Sequence, residues 1–140
     1  MLNGDALRGL PRGISALEAA VVRRVLEVGG RKRPSFDLLL AVGRLTVVEL
    51  CECGCEALYF QPPSMMGSPI ASAYGFIEWG CPVELILWAR EGGISFLELE
   101  PKVPGLGRLP LPDSIRELPE EFYNTSWQCR VSRNWRKYWR

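Results

Sequence analysis

Not one of the 140 residues is a histidine. That absence excludes a serine or cysteine nucleophile activated by imidazole, and it removes the usual acid-base residue near neutral pH. No run of about 18 apolar residues is present to span a membrane, and the N-terminus lacks the charged start and apolar stretch of a secretory signal. Phosphate-binding glycine motifs and internal repeats are missing too. The five cysteines are odd in number, and three of them crowd into Cys51-Glu52-Cys53-Gly54-Cys55. This is not the dispersed, even framework of a secreted disulfide protein. The expectation is a cytoplasmic chain with reduced thiols and no enzymatic activity.

What is present is unevenly charged. Residues 1–43 carry a net +3, residues 44–122 a net −7 and residues 123–140 a net +5. An acidic middle steers toward a basic partner and repels nucleic acid, unless the chain's own basic ends neutralise it.

The most informative stretch runs from Val83 to Glu100 and reads as two strands folded about Glu91, Gly92 and Gly93. Pairing Arg90 with Ile94 across a three-residue loop sets Trp88 opposite Phe96, Leu87 opposite Leu97 and Leu85 opposite Leu99. Val83, Leu85, Leu87, Ala89, Leu97 and Leu99 then share a core face. The other face carries Glu84, Ile86, Trp88, Arg90, Ile94, Phe96, Glu98 and Glu100, a mixture of aromatic groups and carboxylates that a partner would use. A two-residue loop would put Glu98 and Glu100 among the leucines, so burial favours the three-residue register. Glu84 opposite Glu100 also raises the prospect of one elevated carboxyl pKa.

Upstream, residues 1–13 read as a loose lead-in. Ser15 and Glu18 have capping-box spacing, and an amphipathic helix built on Ile14, Leu17, Val21, Val25 and Val28 ends at Gly29 and Gly30. A basic linker, Arg31-Lys32-Arg33, leads through Pro34 to a short helix from Phe36 to Val42 that Gly43 stops. Leu45–Leu50, Ala57–Phe60 and Ile70–Trp79 have strand character, the last broken or bulged at Gly75. The loop between the last two holds Met65 and Met66. Pro101, Pro104, Pro110 and Pro112 form an extended arm that cannot enter a central strand, and Asp113 can cap a short helix. The expected architecture is α+β, with N-terminal helices on a roughly five-stranded antiparallel meander within residues 14–122.

Two further constellations carry chemistry. Cys51, Cys53 and Cys55, with Cys81 or Cys129 as a fourth donor, have the ligand chemistry of zinc. Their spacing departs from the paired cysteines of structural zinc sites, so packed structural thiols are the favoured reading and zinc the alternative. Glu49, Glu52 and Glu56 should hold the thiol pKa values up. At the C-terminus, Trp127, Arg130, Arg133, Trp135, Arg136 and Lys137 form a basic aromatic segment (residues 123–140) suited to nucleic acid, or to anchoring the tail on its own domain.

The Cys51-Glu52-Cys53-Gly54-Cys55 segment, the Ser15 to Val28 helix before it, and Glu84-Leu-Ile-Leu-Trp-Ala-Arg-Glu-Gly-Gly-Ile-Ser-Phe-Leu-Glu and Leu109-Pro-Leu-Pro-Asp113 after it together resemble an uncharacterised family of small bacterial proteins. Glu56 stands where that family has proline. The resemblance covers about residues 14–118 and implies architecture and bacterial origin, with no activity attached. The leading expectation is a protein-interaction domain, most concretely an immunity-type protein that occludes a basic toxin. Glu84, Glu98 and Glu100 would steer that toxin, and Ile86, Trp88 and Phe96 would anchor it.

Overall fold

The computed structural model describes residues 9–77, 80–91, 93–102 and 107–119. The expected tail site, Trp127 to Arg140, lies outside them.

Helix α1, Ala16–Gly29, begins where its capping box predicts: Ser15 Oγ accepts from the Glu18 amide, and the Glu18 carboxylate accepts from the Ser15 amide. Arg12 adds a two-pronged ion pair to the same carboxylate, with both N–O distances 2.8 Å. Arg12–Gly13 also form a short strand, β1, and Leu10 is buried. The end of the lead-in is therefore structured, contrary to the sequence expectation, because a nearly buried Glu18 needs a cation. Helix α2, Phe36–Val42, takes Ser35 as its cap and ends at Gly43.

The expected strand over Leu45–Leu50 divides. Its first part, β2 (Thr46–Val47), pairs with β1, and its second, β3 (Glu49–Leu50), pairs with β4 (Leu58–Tyr59). The long strands β5 (Ser68–Phe76), β6 (Pro82–Arg90) and β7 (Gly93–Pro101) form the meander, and β8 (Arg116–Glu117) closes the far edge. The main sheet has six antiparallel strands in the order β3-β4-β7-β6-β5-β8. The α+β class with N-terminal helices is as expected, but the sheet is not one continuous meander. Residues 60–67 carry the chain from β4 across to β5, two strands beyond β7. The bulge in β5 lies between Pro69 and Ala71 rather than at Gly75, which stays in register opposite Val83. Asp113 falls in a 3-10 turn, Pro112–Ser114, and the edge strand follows it. Pro101, expected to stay out of a central strand, instead forms the last residue of the interior strand β7, opposite Val83.

The central hairpin keeps the predicted register from Val83 to Trp88 by a different route. Arg90 pairs with Gly93 and Ala89 with Ile94, and a bulge then restores Trp88 opposite Phe96. Ser95 is the extra residue, and its hydroxyl donates to the Met66 carbonyl. The bulge lets a short turn coexist with a leucine face free of glutamates. It also moves Ile94 from the mixed face to a buried position opposite Ala89.

The core joins Val21, Val22, Val25 and Leu26 of α1 to Leu85, Leu87, Leu97 and Leu99 of the sheet. Among the described residues, no helix is long and apolar enough to cross a membrane.

Candidate metal centre and an acidic sheet face

The cysteine segment connects β3 to β4 as a tight turn rather than as extended strand. The Gly54 amide donates to the Cys51 carbonyl, and Gly54 takes a φ of +89°, where a side chain would be strained. This curl brings all three sulfurs to within 4.8 Å of one another. Cys51 Sγ and Cys53 Sγ are 2.9 Å apart, and the Cys55 amide donates to Cys53 Sγ at 3.4 Å. Cys51 and Cys55 are half-buried and pack against the core, as structural thiols would, while Cys53 is exposed.

A second segment clamps the turn. The Glu56 amide donates to the Gly107 carbonyl, and the Glu56 carboxylate accepts from the Leu109 amide at 2.8 Å. A Cβ at Gly107 would lie 2.6 Å from Cys55 Cβ, so the backbone at 107 rests directly on the cysteine. Beside this contact opens a cavity of about 970 Å³, with Cys53, Cys55, Phe76, Leu99 and Arg108 in its wall.

The three sulfurs are not equivalent. Hydrogen bonds from Cys51 and then Cys55 pull the exposed Cys53 thiol below the ordinary cysteine range. Burial first, and the neighbouring Cys53 second, push the Cys55 thiol up to about 12. The expectation that nearby glutamates hold the thiol pKa values up thus fails at Cys53, where hydrogen bonds from Cys51 and Cys55 favour the charged form.

The donor set fits a thiophilic ion. Zinc–sulfur bonds of about 2.3 Å place tetrahedral ligand sulfurs about 3.8 Å apart. Cys51 and Cys53 stand closer than that at 2.9 Å, and all three sulfurs lie within 4.8 Å, so the cluster is of the right size for one such ion. Cys81 does not join the group: it is buried at the entrance to β6 and disulfide-bonded. That bond also departs from the expectation of thiols throughout. Cys51, Cys53 and Cys55 would supply three thiolates to such an ion.

The other predicted site assembles on the sheet face opposite α1. Glu84 pairs with Glu100, Ile86 with Glu98 and Trp88 with Phe96, which places the six expected residues together. Phe96 stacks on Tyr59 with ring centroids 4.2 Å apart. The Trp88 indole donates to Glu98 Oε1 at 3.0 Å. Burial, then the hydrogen bond and charge of Glu100, raise the Glu98 carboxyl from 4.5 to about 7, against the stabilising pull of Trp88. The face is more enclosed than a free docking surface. Glu84 retains 2% of its accessibility and Phe96 6%, while Ile86, Trp88 and Glu98 are half-buried and Glu100 alone is exposed.

Sequence reasoning did not anticipate Glu56 and Gly107 as the clamp on the cysteine turn. Nothing local signals a partner fifty residues away. Compared with known proteins, the chain matches no family model, no curated protein and no solved structure.

Proposed function

We propose that this chain is a thiolate metal-binding domain in which Cys51, Cys53 and Cys55 hold one thiophilic ion of the zinc class. The observation that carries this reading is the convergence of three sulfurs within 4.8 Å on a clamped, partly exposed turn. A chain that needed only small apolar side chains there would have no reason to place Cys53 in water. Protein purified without chelator should carry close to one equivalent of metal, and cobalt substitution should give sulfur-to-metal charge-transfer absorption. Cys53→Ser, which alters an exposed side chain, should lose most of the metal and stay folded. Less than about a tenth of an equivalent in folded protein, even after zinc is supplied, would reject the reading.

A second reading, the protein-interaction domain, is favoured by one observation: Glu84, Glu98 and Glu100 are held together although Glu98 ionises reluctantly. A cationic partner relieves that repulsion, as a basic toxin would in an immunity-type complex. Such a partner must lower the Glu98 midpoint on binding. A captured protein that leaves the midpoint unmoved does not dock there.

A further inference from the structure

Helix α2 displays apolar side chains on its outer surface although it is firmly docked. Ser35 caps its start, Gly43 closes its end, Val42 is buried, and Leu38 and Leu39 pack against the core. Arg23 of α1 donates to the Leu39 carbonyl at 2.9 Å and fastens the two helices together. At 100° per residue, Leu38, Leu39 and Val42 occupy one side of the helix, and Phe36 and Leu40 fall on the other. Those two are 75% and 47% exposed. Their exposure follows from the helix's fixed orientation and not from a frayed end.

The same short segment is cationic. Arg31, Lys32 and Arg33 immediately precede the helix, Arg44 follows it one turn beyond Leu40, and all four are exposed. Asp37 is the one acid among residues 31–44. Two projecting apolar side chains, with exposed cations before and after them in the chain, form a wedge. A protein partner would have to supply a matching pocket, whereas a bilayer interface accepts such a wedge without one. Phe and Leu enter the boundary between headgroups and acyl chains while the cations stay at the phosphates.

We propose that α2 and the linker before it form a docking surface for anionic lipid membranes, independent of the cysteine cluster. The chain binds peripherally, with Phe36 and Leu40 inserted and Arg31, Lys32, Arg33 and Arg44 over the headgroups. Each cation at such a surface contributes roughly fivefold in partition coefficient.

The test is co-sedimentation of the full chain with phosphatidylcholine vesicles and with vesicles containing phosphatidylglycerol, at low and physiological salt. Phe36→Ala and the combined Arg31→Glu, Lys32→Glu, Arg33→Glu variant are run alongside, their folding checked by circular dichroism. We expect salt-sensitive binding to the anionic vesicles only, about tenfold weaker for Phe36→Ala and abolished by the charge reversal. Absence of binding by folded wild-type protein overturns the proposal. So does binding that both variants retain, which would move the contact to another basic part of the chain. Binding to soluble polyglutamate that the charge reversal weakens and Phe36→Ala does not, without binding to vesicles, assigns the cations to an acidic protein and also overturns it.

Discussion

Glu98 shows how a single residue reports on its surroundings. Its folded-state pKa, about 7, lies above the ordinary 4.5, because burial and Glu100 both penalise the charged form. The fold therefore prefers Glu98 protonated. Its contribution to stability is fully present below about pH 4.5 and is lost as pH rises through 7. Glu98→Gln keeps the shape and cannot ionise, so its urea midpoint should change less than wild type across that window. The Trp88 indole N–H resonance, which hydrogen-bonds to Glu98, should shift with a midpoint near 7 in wild type and stay fixed in the variant. Equal pH dependence in the two proteins would place the titration elsewhere. The alternation of residues 83–100 foretold that these carboxylates would meet. The expectation set an elevated pKa on the Glu84–Glu100 pair, whereas it falls on Glu98 through burial together with the hydrogen bond and charge of Glu100, and alternation does not encode that combination.

At the scale of elements, local signals were read well and distant pairings poorly. Helix α1 starts at its capping box and α2 spans the residues expected of it, because caps and stops act over three or four residues. Strands β3 and β4 are two residues each, too short for periodicity to name a partner. Leu58 pairs with Leu97 because the core face of β7 needs a neighbour. The Ser95 bulge was hidden for a related reason: an alternating pattern counts faces, and two different turns can deliver the same faces.

The first turn of α1 also makes a testable unit. Glu18 is held below the usual carboxylate range, chiefly by its hydrogen bonds from Arg12, with Ser15 adding to them. A depressed pKa stabilises the fold above the ordinary value of 4.5, and that stabilisation is lost as pH falls through the folded-state value. Arg12→Ala should cost about 1–2 kcal/mol at neutral pH, since Arg12 is partly exposed and Glu18 keeps its Ser15 bonds. The variant should also begin acid unfolding at a higher pH. Helical circular dichroism followed through an acid titration checks both, and coincident acid transitions would show that the pair contributes nothing.

For the whole molecule, the decisive relation is how closely α1 lies on the sheet. The apolar spacing of α1 predicted that it would cover something, but not that its last turn would touch the backbone of β5. Gly29 ends the helix, and Gly30 bridges to Ala71. A Cβ at Gly29 would lie 2.1 Å from the Ser72 carbonyl oxygen and 2.7 Å from its carbon. Two principles then predict opposite signs for Gly29→Ala. Helix propensity alone favours alanine by about 1 kcal/mol, less at a helix end. Packing opposes it, because the obstructing atoms are sheet backbone and cannot rotate away, and overpacking of this kind costs about 1–3 kcal/mol or more. The contact is too close for side-chain adjustment, so packing should prevail. Gly29→Ala should lower the urea midpoint while leaving the slope of the transition unchanged. Lifting the end of α1 also loosens Val25 and Leu26 from the leucine face, so the loss should spread into the core as faster amide exchange in β5 and β6. A stabilised Gly29→Ala protein would mean that α1 stands further from the sheet than this architecture requires.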